Sequence, residues 1–296
     1  MQMKETIEFR INYDFAHLLF KEDEGKNVGT SVRVVEISKS DPRYNQIPII
    51  SKQVKENYDR GFFFGWKIKR KYSINEIKSA SLFYLKIKNV FQPAGEECGT
   101  IYDETEACDI CGANRKQIGP LKLKRNSIPK KDISKTISGE IVVSEKFAIA
   151  LKSRNLQGVI LNPVFLNEKE SNYFQLNANN KLQLSEKTIA GNDPFETTSG
   201  DEGGSYDISG YKINMKKEVY KCPKGHLIGL NILSEVYVLN NPSIYNTDFF
   251  TSVQKAGVKR GLLEPEPIYF CSKDFKKMTD EEKLTGFDFE VAHIVM

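Results

Sequence analysis

Apolar and polar side chains alternate in TSVRVVEI (30–37), which predicts a strand, and the aromatic run RGFFFGWKI (60–68) predicts another. SINE (73–76) has the form of a capping box, with Ser73 as N-cap and Glu76 at the third helical position. It predicts a short helix ending near Ala80. SLFYLKIKNVF (81–91), rich in β-branched and aromatic residues, then reads as a strand. Further on, GEIVVSEKFAIALKSRNLQGVILNPV (139–164) reads as strand, helix, strand. Ser144 is a fitting N-cap, Phe147, Ala148 and Leu151 share one helical face, and Asn155 suits a left-handed helix end.

In the second half, YKCPKGHLIGLNILSEVYV (220–238) reads mostly as strand around a tight turn at Pro223–Gly225. TDFFTSVQKAG (247–257) is assigned a short helix with Gly257 past its end. PIYFCSKDFKKMTDEEKLTGFDFEVAHIV (267–295) repeats the earlier plan, since Ser144 to Gly158 and Ser272 to Gly286 span equal intervals. Phe147 aligns with Phe275 and Leu156 with Leu284, but four identities in fifteen positions fit two independent units as well as a true repeat. GNDPFETTSGDEGGSYDISG (191–210), with five glycines, five acids and no base, predicts an exposed loop. Together these elements predict an α+β fold, a mixed β-sheet with packed helices and a zinc-ribbon-like clasp. The expected organisation is an N-terminal α/β segment over 1–90, the zinc-ribbon-like motif over 91–125, and an α+β region with two strand–helix–strand units over 126–296.

Composition narrows the class. The chain has 296 residues, 40% hydrophobic and 28% charged, as a soluble globular protein does. The net charge of +4 is too small to imply nucleic acid or membrane. The opening MQMKETIEFRINYDF is unlike a secretory leader, and no run approaches the roughly 20 apolar residues of a spanning helix. Three of the five cysteines fall in CGTIYDETEACDICG (98–112), a metal-binding pattern that suits a reducing compartment. The expected location is the cytoplasm.

Cys108, Cys111 and Gly112 form a C-x-x-C-G knuckle, whose tight turn lets two thiolates converge on a tetrahedral zinc ion. Cys98 and Gly99 resemble the second half of another knuckle, but position 95 is glycine. The missing ligand is sought in CPKGH (222–226). The expected set is Cys98, Cys108, Cys111 and Cys222, with His226 as the alternative for the last position. Cys271, in an apolar strand, reads as a buried small hydrophobe. A redox pair would open a helix after a strand, a setting that Cys108 and Cys111 lack.

A catalytic zinc would need an open position and a nearby acid or base, as in H-E-x-x-H, and His17, His226 and His293 stand in no such pattern. His17 and His293 read as packing histidines. Walker, dinucleotide and nucleophile-elbow motifs are absent. Asp103, Glu104, Glu106, Glu140, Glu145 and Glu235 read as solvated acids, and no active site is expected. LKLKRNSIPKKDISK (121–135) offers Lys122, Lys124, Arg125, Lys130 and Lys131 to a phosphate backbone, although the same alternation suits a solvated sheet edge.

The stretch CGTIYDETEACDICGA, the turn CPKGH and the unit VVSEKFAIALKSRNLQGVILNPV resemble the bacterial double-CxxCG motif proteins, over about residues 90–165. That resemblance implies an immunity protein that neutralises a toxin delivered between neighbouring cells. It carries Cys98, Cys108 and Cys111 over as ligands, but Gly95 departs from the two full knuckles of the family pattern. The expected function is therefore a zinc-stapled, non-catalytic interaction protein with a protein partner. A nucleic-acid-binding zinc-ribbon protein ranks second and an unrecognised metal or thiol enzyme third.

Overall fold

The structure is a computed structural model. It describes residues 3–191, 194–195, 204–208, 211–215, 222–257, 259, 261 and 263–296. The chain divides into two compact units, Met1–Ser79 and Ala80–Met296.

The first unit is built on a four-stranded antiparallel sheet in the order Lys26–Val28, Val32–Ser38, Lys4–Asn12, Phe63–Lys71. Alternation decides its inner face: Ile7, Phe9 and Ile11 of the central strand are fully buried, and Val35 and Ile37 of its neighbour nearly so. Helix α1 (Ile47–Tyr58) buries Ile47 and Val54, and α2 (Ile74–Ser79) opens at the capping box. There Ser73 N–H donates to Glu76 Oε2 at 2.7 Å, and Glu76 N–H donates to Ser73 Oγ at 3.2 Å. His17, expected to be packed, lies exposed in a 3-10 turn over Tyr13–Leu18.

The second unit contains two larger sheets that repeat one topology. The first runs Val90–Phe91, Ile133–Thr136, Ile141–Val143, Lys169–Ala178, Val159–Leu166, Leu121–Leu123. The second runs Asn180–Leu182, Phe249–Ala256, Glu266–Ser272, Leu82–Ile87, Phe287–Val295, Val236–Leu239. Both read parallel, antiparallel, antiparallel, antiparallel, parallel across the sheet. Chain order also matches once the unit is split between Leu166 and Lys169. In each half the opening strand (Leu82–Ile87 or Lys169–Ala178) sits inside the other half's sheet. The insertion between second and third strands carries the CGTIYDETEACDICG motif in one half and CPKGH in the other.

The helices carry the same correspondence. Helix α3 (Glu145–Ser153) is capped by Ser144, whose Oγ accepts from Phe147 N–H at 3.2 Å. Helix α4 (Lys273–Glu281) is capped by Ser272, whose Oγ accepts from Phe275 N–H at 3.1 Å. Phe147 and Phe275 are fully buried against one another with ring centroids 6.0 Å apart. Asn155 and Lys283 close the helices at left-handed φ, and Gly158 and Gly286 follow. A Cβ on either glycine would overlap the other half's backbone, at Phe249 O (2.7 Å) or Ile133 O (2.1 Å). The sequence-level likeness of Ser144–Gly158 and Ser272–Gly286 is thus part of a whole repeated topology.

Several expectations need correction. The fold is not a helix-packed α+β fold: the described residues are mostly strand, in several sheets, with few helices. Among the described residues only α1, α3 and α4 reach seven residues. The short apolar runs are β-branched and aromatic and suit pleated surfaces better than helices. TDFFTSVQKAG is the clearest case. It forms the strand Phe249–Ala256, in which Phe249 and Phe250 point to opposite faces and are both fully buried. SLFYLKIKNVF breaks into Leu82–Ile87 and Val90–Phe91, which enter different sheets. Within 191–210, residues 192–193, 196–203 and 209–210 lie outside the described residues. Gly204–Ile208 is a strand paired with Tyr211–Met215, where a loop was expected.

Candidate metal centre

Two turns from distant parts of the second unit meet at four donor atoms. Cys108 and Cys111 lie on a turn stitched by Cys108 N–H to Ala113 O (2.7 Å) and Gly112 N–H to Cys108 O (2.8 Å). Gly112 adopts φ +71°, and a Cβ there would meet Glu264 Oε2 at 2.4 Å, so the position requires glycine. The second turn runs from Cys222 to His226 and closes with Gly225 N–H to Cys222 O at 2.9 Å. It is anchored to the sheet because Leu227–Gly229 pairs with Phe249–Ala256 and Lys255 N–H donates to His226 O at 2.8 Å.

Cys108, Cys111, Cys222 and His226 present ligand atoms that all lie within 4.8 Å of one another, and the group can hold a metal ion. Cys108 Sγ is 3.7 Å from Cys222 Sγ, and His226 Nδ1 is 3.7 Å from Cys222 Sγ and 3.8 Å from Cys111 Sγ. The three thiols are buried, and Ala113 and Leu227 pack around them. An exposed ion pair, Lys224 to Asp109 at 3.0 Å, spans the rim and adds little energy in water.

At Cys108 the local dipoles favour anionic sulfur. Backbone N–H groups of Cys111 and Ile110, with side-chain hydrogen bonds from His226 and Cys222, hold the Cys108 thiol down at about 6. Burial pushes Cys111 up to about 12, so its proton must leave when a cation binds.

Cys98 is not in the group. It ends the 3-10 turn Glu96–Cys98, where Cys98 N–H bonds Gly95 O at 3.0 Å and Gly99 adopts φ +87°. That is a knuckle backbone without a second thiol, and burial raises the Cys98 thiol. His226, the alternative ligand by sequence, joins Cys222 in the group instead of replacing it. Cys271 is fully buried, and His293 stacks on Tyr237 at 4.8 Å, with Nε2 3.1 Å from Glu235. In the basic run, Leu121 and Leu123 are buried strand residues and Lys122 pairs with Glu168 at 3.2 Å.

Beside the group stands a cluster that sequence reading missed. Glu140, expected to be solvated, is only 8% exposed. Its Oε1 accepts from Tyr102 O–H and from Gly95 N–H (3.3 Å). Burial raises the Glu140 carboxyl, and burial together with the Glu140 charge raises the Tyr102 phenol. Arg115 lies over the Tyr102 ring at 3.9 Å and pairs with Glu96 (2.7 Å) and Glu104 (2.8 Å). The one local signal was the proximity of GEIVV to the start of a strand, where a polar position can point inward.

Comparison of the sequence with protein-family models finds no match, and comparison with curated proteins finds none either. No helix among the described residues is long and apolar enough to cross a membrane.

Proposed function

We propose that this chain is a non-catalytic interaction protein whose fold is clasped by one structural zinc ion, and that its partner is a toxin it neutralises. One observation carries the clasp: four protein donors from two turns more than a hundred residues apart converge within 4.8 Å. A tetrahedral zinc with arms of about 2.3 Å to sulfur and about 2.0 Å to nitrogen has edges of roughly 3.5–3.8 Å. Of the six edges, Cys108–Cys222 at 3.7 Å, Cys222–His226 at 3.7 Å and Cys111–His226 at 3.8 Å fit that size, and all six lie within 4.8 Å. Three thiolates and an imidazole form the donor set that zinc favours among abundant divalent ions. Four protein ligands leave no position for water, which supports a structural over a catalytic ion. None of the five cysteines, all among the described residues, is in a disulfide, which agrees with a reducing compartment. The immunity role is supported by the sequence resemblance to double-CxxCG proteins.

Metal analysis of the purified full chain tests the clasp. One zinc per chain is expected, lost in Cys222→Ser and weakened in His226→Ala. Chelation should lower the melting temperature of the wild-type protein, because binding energy of about 10 kcal/mol or more becomes folding energy in such sites. Fully reduced protein that lacks stoichiometric metal and ignores chelators would overturn the proposal. The partner role is tested by co-expression with a toxic protein encoded beside this chain. Protection and a co-purifying complex are expected, and the absence of both rejects it for that pair.

A further inference from the structure

A cavity of about 320 Å³ adjoins the metal group, and its wall includes Tyr102, Arg115, Glu140, Lys255, Glu264 and Glu266. That volume is at the lower end of small-ligand pockets. Both halves of the repeat contribute, one through the antiparallel pair Ile101–Asp103 and Lys116–Ile118, which bears Tyr102, and through the Glu140 turn, the other through the strands bearing Lys255 and Glu266.

Glu140 sets what the cavity lacks. Its Oε1 is satisfied by Tyr102 and Gly95, but its Oε2 is buried without any hydrogen-bond partner. Buried carboxylate oxygens ordinarily have one. The neighbouring bases are committed elsewhere: Arg115 to Glu96 and Glu104, and Lys135 to Glu266. Glu264, half-buried in the same wall, makes no ion pair with a described residue within bonding distance, although exposed Lys259 faces it from outside the cavity. Lys255 is the single base in the wall not tied to a carboxylate among the described residues. Lys259 and Lys255 both act on Glu264, whereas Glu140 Oε2 is left with no donor, and the missing element is a positively charged N–H donor for that oxygen.

We propose that this cavity binds a group carrying one ammonium or guanidinium cation, held by Glu140 and Glu264. Lys255 limits the occupant to a single positive centre and favours an uncharged or anionic remainder. The cation could come from a free amine or guanidine compound, or from a lysine or arginine side chain of a protein partner. The inference requires neither the immunity role nor an ion at the cysteines, so its failure would leave the clasp standing.

The test is calorimetric titration of the full, metal-loaded chain with n-butylammonium and n-butylguanidinium as free cations, and with capped Gly-Lys-Gly and Gly-Arg-Gly peptides. At least one cation probe should saturate one site, while n-butanol and butyrate should not bind. Glu140→Gln keeps the shape and an acceptor for Tyr102, and should weaken binding by about tenfold or more, the scale of one charge-assisted hydrogen bond. Glu264→Gln, at the second carboxylate of the wall, should weaken it several-fold and serves as the readout if the first variant misfolds. Tighter binding of the capped peptides assigns the site to a partner's side chain, and tighter binding of the free cations to a small molecule. Failure of every cation probe to saturate, equal binding of n-butanol, or unchanged affinity in a folded Glu140→Gln would overturn the proposal.

Discussion

Gly95 has ordinary right-handed backbone at φ −57°, so any residue could adopt its conformation. The space around it decides otherwise. A Cβ there would lie 2.6 Å from Leu121 Cδ1, 2.8 Å from Thr100 Oγ1 and 2.9 Å from Glu140 Oε1. Where a second thiol would complete a C-x-x-C-G knuckle with Cys98, this protein has a glycine closed over the buried Glu140 carboxylate. Gly95→Cys should therefore destabilise the fold by about 1–3 kcal/mol, the usual range for overpacking, without adding a second ion. Denaturant titration and metal analysis together check this, and unchanged stability or a second bound ion would refute it. Gly112 is constrained differently, by both its positive φ and the nearby Glu264 carboxylate.

The repeated strand–helix–strand elements are held by two aspartates placed alike. Asp132 accepts from Ser144 Oγ (3.1 Å) and from both the N–H and the hydroxyl of Thr285 (each 2.8 Å). Asp248 accepts from Ser272 Oγ (2.6 Å) and from Gln157 N–H (2.7 Å). Each aspartate thus fixes the cap of its own helix and the Leu-x-Gly turn of the other half. Ser144→Ala should cost about 1 kcal/mol, the value of one N-cap. Asp132→Ala should cost more, about 2–3 kcal/mol, because three donors lose their acceptor. Equal effects in urea titrations would show that the reach to Thr285 adds nothing. The serine caps were legible because an N-cap and its helix lie within four residues. The aspartate clamps were not, because their second partners lie 153 and 91 positions away.

Across the whole molecule, legibility followed the range of the interaction. Strand Val32–Ser38, α2, α3, α4 and the knuckle at Cys108 and Cys111 were readable from local pattern. Which strands share a sheet was not, since Leu82–Ile87 finds its partners about two hundred residues later. The metal group shows the same division: each half of the ligand set was visible as a short motif, but the choice of His226 over Cys98 came from the packing of two insertions. A sequence reader also places Phe249–Ala256 in a helix, because Phe-Phe and Gly257 fit a helix end as well as a buried strand. Only the neighbours on both faces of the sheet distinguish them.

The exchange of opening strands between the halves of Ala80–Met296 has a consequence for how that unit can be cut. A chain ending at 166 would lack the strand that fills the middle of its own sheet, and one beginning at 167 would lack Leu82–Ile87. Synthesised as separate polypeptides, 80–166 and 167–296 should each remain unstructured and acquire the near-native circular dichroism of the intact unit only when mixed. Because two thiolates come from one fragment and a thiolate and an imidazole from the other, zinc should tighten that association and a chelator should reverse it. Either fragment folding alone would contradict this, whereas success would make the pair a metal-dependent split protein.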